Sequence, residues 1–132
     1  MRPVLAATVL LAAVLVASVA TAANDRVSAT FESLAASGIV GDVTLNPMPD
    51  GQIQLHSNLR GLVPNTDYAV FSYDASATCG AGTPTAIVTF TSNAAGIANW
   101  NQKVSLTLSQ IQSIGIQQEP VNTLVACASV PQ

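Results

Sequence analysis

Histidine and charged residues are scarce in this chain, and each scarcity removes a class of function. His56 is the single histidine. A structural or catalytic zinc site takes three or four protein ligands, so one imidazole cannot build it. Charged residues make up 8% of the sequence, Lys and Arg numbering 4 against 7 Asp and Glu, for a net charge of −3. Beyond Arg2 the basic residues are Arg26, Arg60 and Lys103, and they are scattered. Nucleic acids and anionic membrane surfaces need clustered Lys and Arg, so neither is an expected partner. Cys-x-x-Cys, Gly-x-Ser-x-Gly, a Ser/His/Asp set and a phosphate-cradling glycine loop are all missing, which leaves no recognisable redox, hydrolytic or nucleotide chemistry.

What is present begins with an export signal. Met1 and Arg2 precede an apolar run from Val4 to Val19, which ends in Ala20-Thr21-Ala22-Ala23. A positive start, an apolar core and small residues at the cleavage point describe a secretory signal peptide. Residues 1–22 are read as that signal, with cleavage after Ala22 or Ala23, and residues 23–132 as one domain, secreted or periplasmic. A retained membrane anchor is the rival, but the run is shorter than the ~20 residues that span a bilayer. Nothing later in the chain is long and apolar enough to span. No cysteine stands at the cleavage point, so a lipoprotein is not expected. The only cysteines, Cys79 and Cys127, would in an exported chain most simply form one structural disulfide. Closing so long a loop is worth roughly 4 kcal/mol in the chain-entropy model.

Period-two alternation recurs along the domain, and helical periodicity hardly at all. Val27, Ala29 and Phe31 alternate with polar residues, as do Val43 with Leu45 and Ile53 with Leu55. Pro47-Met48-Pro49-Asp50-Gly51 is a turn by its residue chemistry. After a turn at Gly61-Leu62, Ala69, Phe71 and Tyr73 share one face of a strand. Ala86, Val88 and Phe90 are expected on one side of the next strand, opposite Ile87, Thr89 and Thr91. Asn93 to Gly96 reads as a hairpin turn, and Ala98 and Trp100 follow in the returning strand. Leu106 to Ile111 is the one plausible short helix. Ile114 with Ile116, then Leu124 with Ala126, make the last two strands. About eight short strands with turns every ten or so residues predict an all-β domain, a Greek-key antiparallel sandwich or flattened barrel.

One stretch carries more than a fold class. Leu59-Arg60-Gly61-Leu62, a short loop, the alternating run Tyr68 to Tyr73, then Cys79 and finally Ala126-Cys127 together resemble the copper/zinc superoxide dismutase family. In that family the Gly-Leu turn leads into a His-x-His strand, and a loop cysteine is bonded to an Ala-Cys near the chain end. The resemblance therefore implies the Cys79–Cys127 bridge and a superoxide-dismutase-like sandwich. It also implies a copper and zinc site that this sequence does not supply. A gap-free match puts Val70 and Ser72 where the His-x-His belongs, and a one-residue gap puts Phe71 and Tyr73 there. Neither pair offers the imidazole or soft sulfur that copper requires. The family's substrate-guiding arginine falls near Leu124, and the zinc-carrying loop after Cys79 is shortened.

Other residues are read as ordinary. Alternation puts His56 beside Gln52 and Gln54 on a solvated face. Asp67 and Asp74 could pose as an acid/base pair, but residues so spaced lie at opposite ends of a strand, roughly 23 Å apart. Trp100, Tyr68 and Tyr73 are assigned to packing, with an interface role as the alternative. The expectation is a metal-free, cofactor-free, non-enzymatic domain that binds or builds, its partner another extracytoplasmic protein or a second copy. Its docking face is expected on the Tyr68–Tyr73 strand, with Val70 exposed there. Two other readings stand beside it. One is a dismutase with a non-standard metal site. The other is an adhesion module, because Leu62-Val63-Pro64-Asn65-Thr66-Asp67-Tyr68 also resembles the Leu-x-Pro-x-Thr-x-Tyr corner of fibronectin type III domains.

Overall fold

Alternating residues give each strand an apolar face, and in the structure those faces close on one another. The computed structural model describes residues 25–132; the signal-peptide assignment lies outside them. Eight strands are formed: β1 Val27–Ser33, β2 Val40–Pro47, β3 Ile53–Arg60, β4 Asp67–Tyr73, β5 Pro84–Thr91, β6 Ala98–Val104, β7 Ser113–Gln118 and β8 Thr123–Ser129. A 3-10 turn, Leu108–Gln110, lies in the expected Leu106–Ile111 segment. No helix among the described residues is long and apolar enough to cross a membrane.

The strands form one antiparallel sheet in the order β5-β4-β7-β8-β1-β2-β3-β6. β1 joins its two halves: Val27 to Thr30 pair with β2, and Phe31 to Ser33 pair with β8. The chain runs β4, β5, β6 around the wall and then returns, so that β7 lies beside β4. That is a Greek key, and with its edges nearly meeting the sheet is the predicted flattened barrel. Its interior holds Ala29, Phe31, Val43, Leu45, Leu55, Trp100, Ile114 and Ile116, among others. Strand alternation also sorts the connections. Residues 34–39, 61–66, 92–97 and 119–122 join strands at one pole, and residues 48–52, 74–83 and 105–112 at the other.

Two expectations need correction, and the last strand departs from simple alternation. The turn from Asn93 to Gly96 exists, with Gly96 N–H donating to the Asn93 carbonyl at 3.0 Å. It is not a hairpin, because β6 pairs with β3, and β5 and β6 stand as the two unladdered edges of the barrel. Ala86 does not share a face with Val88 and Phe90. Val70 pairs with Val88 but Phe71 with Ala86, so Ile87 is an extra, bulged residue and the alternation changes phase across it,. Ile87 is accordingly buried while Ala86 is exposed. A second bulge separates Leu124 from Ala126: Gln117 pairs with Leu124 and Ile116 with Ala126, leaving Val125 as the additional residue. Val125 and Ala126 both join the core, and Leu124 does not.

Candidate functional site

Strand β4 occupies the centre of the half-sheet between β5 and β7, so both of its faces can be covered. Tyr68, Val70 and Ser72 point inward and are each 1% exposed. The expected exposed position of Val70 is thus overturned, since it belongs to the core cluster. The pairing of β4 with β5 on one side and β7 on the other decides this. Ala69, Phe71 and Tyr73 form the outer face, where Ala69 and Tyr73 are also buried and Phe71 is half-buried.

The outer face is filled at Gly115 of β7. A Cβ there would stand 2.8 Å from Leu124 Cδ1, 3.0 Å from Tyr73 Cε2 and 3.3 Å from Cys79 Sγ. Three side chains therefore converge on the one position that carries none. Cys79 and Cys127 are disulfide-bonded, with their Cα atoms 5.9 Å apart, as expected. The bond ties the β4–β5 loop to β8, and further hydrogen bonds hold that loop down. Cys79 N–H donates to Cys127 Sγ at 3.2 Å, Ser129 Oγ to the Ala77 carbonyl at 2.8 Å, and Thr83 N–H to Asp74 Oδ1 at 2.9 Å. Burial pushes the Tyr73 phenol above its ordinary pKa by desolvating the phenolate,.

The remaining sequence candidates disperse. His56 is exposed on β3 in the other half-sheet, where its Nδ1 pairs with the side-chain oxygen of Asn101 across β6. Asp74 caps the disulfide loop, while Asp67 accepts a hydrogen bond from Thr91 Oγ1 at 2.6 Å at the opposite end of β4. Trp100 packs in the core, and its Nε1–H is buried without a protein acceptor. Among the described residues no three His, Cys, Asp or Glu gather where a metal could be held.

The Leu62-to-Tyr68 motif forms a corner. Tyr68 Oη accepts a hydrogen bond from Val63 N–H at 2.9 Å, and Thr66 Oγ1 donates to the Pro64 carbonyl at 2.9 Å. Tying a strand start to the backbone just upstream is the function of a tyrosine corner in β-sandwiches. The Tyr68 ring stacks on Phe90 of β5, centroids 5.4 Å apart.

Sequence reasoning missed what surrounds that corner. Val63 and Val121 project from turns and are 51% and 62% exposed. Together with Ile39, Val125 and Tyr68 they line a depression of about 220 Å³. The signal was present in Val63-Pro64-Asn65 and Pro120-Val121-Asn122. A large aliphatic residue inside a Pro/Asn turn has no strand face on which to be buried. No protein-family model matches this chain, and no curated protein matches it.

Proposed function

We propose that this chain is a secreted or periplasmic, superoxide-dismutase-like β-domain that has no dismutase chemistry and serves in binding or as a structural element. The observation that carries the reading is the convergence of Tyr73, Leu124 and the disulfide over Gly115. In the resemblance to the dismutase family, Tyr73 stands at one of the alternative ligand positions and Leu124 near that of the substrate-guiding arginine. The bridge from the loop after β4 to the last strand, downstream of a Gly61-Leu62 turn, supports the same match.

The residues do not fit the metals that the family implies. Val70 and Ser72 face the core, and Phe71 and Tyr73 offer a hydrocarbon ring and a desolvated phenol. Copper asks for imidazole or soft sulfur, and both cysteine sulfurs are consumed in a disulfide. His56 lies in the other half-sheet.

Elemental analysis and a superoxide dismutation assay on the purified, disulfide-intact domain test the proposal. Sub-stoichiometric copper and zinc with no activity is the expected result. Near-equimolar metal retained through purification, with activity abolished by chelation, would favour a dismutase with a non-standard site instead.

A further inference from the structure

The pole formed by residues 34–39, 61–66, 92–97 and 119–122 differs in kind from the other. All four exposed large aliphatic side chains among the described residues gather there. Val63, Ile97 and Val121 lie in its connections, and Val40 opens the adjoining β2. The four non-glycine residues with positive φ among the described residues lie in the same connections: Ala35 (53°), Ala36 (55°), Asn65 (52°) and Asn122 (57°). Left-handed backbone is unfavourable for residues with a Cβ and persists where its surroundings over-determine it.

Here the surroundings are neighbouring loops in direct backbone contact. Leu62 N–H donates to the Gly96 carbonyl at 3.0 Å and Asn65 N–H to that of Asn93 at 3.2 Å. Ser92 Oγ, buried, accepts from Thr66 N–H at 3.0 Å and donates to the Val63 carbonyl. These bonds preorganise the part of the pole built by residues 61–66 and 92–97, which lowers the ordering cost of binding there.

Two depressions lie to either side of Tyr68, which lines both. One is the apolar depression of about 220 Å³ between Val63 and Val121. The other, of about 400 Å³, is lined by Asp67, Glu119, Thr89 and Thr91. Glu119 follows directly on β7, and its backbone N–H donates to the Asp67 carbonyl at 3.0 Å, so the two acidic residues are cross-strand neighbours. Glu119 Oε2 is buried with no hydrogen-bond partner. The ion pair among the described residues, Lys103 with Asp50, involves neither carboxylate. An acceptor left so is unfavourable until a donor arrives.

We propose that this pole docks a segment of another protein that presents a Lys or Arg next to an aliphatic side chain. The aliphatic group enters the depression between Val63 and Val121. The cation enters the neighbouring one, where it donates to Glu119 and Asp67. Charge selects this occupant over a second copy of the chain. The strand ends at the pole carry Glu32, Asp67 and Glu119 against Arg60, so two copies would bring like charges together, which association avoids. This inference rests on the reading of the domain as a binding module.

The test uses the disulfide-intact domain and a random peptide library displayed on phage. Enriched peptides should carry a basic residue adjacent to Val, Ile or Leu. A synthesised winner, followed by fluorescence anisotropy, should bind Val63→Asp and Val121→Asp roughly tenfold more weakly or worse. Glu119→Gln should weaken binding less and flatten its salt dependence. Thermal melts of all three variants verify that they are folded. Failure to enrich any peptide, winners without basic residues, or equal binding to the Val121→Asp variant would each overturn the proposal. So would self-association of the domain that Val121→Asp abolishes, because the occupant would then be a second copy. Metal and dismutase assays on the same preparation separate a failed interface from a failed functional reading.

Discussion

Gly115 faces Cys79 so closely that a Cβ on the glycine would stand 3.3 Å from the disulfide sulfur. The loop holding Cys79 is laid on the outside of the barrel at the point where β7 has no side chain. Leu124 and Tyr73 complete the cover from β8 and β4. A missing side chain on one strand thus lets three neighbours close a face that would otherwise be open to solvent.

Filling that point should be costly. Gly115→Val is expected to destabilise the domain by roughly 2–3 kcal/mol through overpacking, read as a lower midpoint in urea unfolding at unchanged slope. Leu124→Ala on the same background should recover part of the loss, because the shortest approach is to a terminal methyl of Leu124. Strict additivity of the two substitutions would mean that they do not share this space.

The Cys79–Cys127 bond should contribute a large share of a small domain's margin. Its long loop implies about 4 kcal/mol in the chain-entropy model, or a melting temperature roughly 15–30 °C lower after reduction. Calorimetry of the parent with and without reductant, alongside a Cys79→Ser/Cys127→Ser double variant, measures it. Coincident melts would show that the loop's hydrogen bonds suffice without the bond.

Val70→Asp and Val121→Asp should behave oppositely. Val70 is 1% exposed inside the barrel, so a carboxylate there should cost more than ~3 kcal/mol and leave little folded protein. Val121 is 62% exposed in a turn, and its change should stay within ~0.5 kcal/mol. Circular dichroism melts distinguish them directly. A stable Val70→Asp variant would return β4 to the role of an exposed face.

Alkaline stability should depend on Tyr73. Its phenol is held protonated in the folded state by desolvation, whereas in the unfolded chain it ionises near the ordinary value of about 10. Above that pH the unfolded state has released a proton that the folded state still binds, so stability falls as pH rises. The contribution is fully present below that pH. Tyr73→Phe should therefore flatten the stability profile above about pH 10, and ultraviolet difference titration of the parent against this variant should show the Tyr73 phenol ionising above that value.

The barrel's strands and their order along the chain could be read from alternation. Ala29 with Phe31, Val43 with Leu45 and Ile53 with Leu55 are buried as their spacing requires, and the chain's two cysteines pair with each other. Alternation has two phases, however, and a strand apolar on both sides does not declare which is the core. Tyr68 to Tyr73 is such a strand, and only its place between β5 and β7 sends Val70 inward.

The bulges at Ile87 and Val125 lay equally beyond the sequence. Each inserts one unpaired residue and reverses the faces beyond it, and the need for it arises in the partner strand's register. The platform at the pole is the largest addition of this kind. Val63, Ile97 and Val121 sit far apart in the chain; antiparallel pairing sends their turns to one end of the barrel, and the Greek-key path sets which of them lie side by side there. Local chemistry determined that these segments turn and those between them extend. Which side chains share a core, a covered face or an exposed pole was decided by long-range pairing, because contact between distant residues has no local signature.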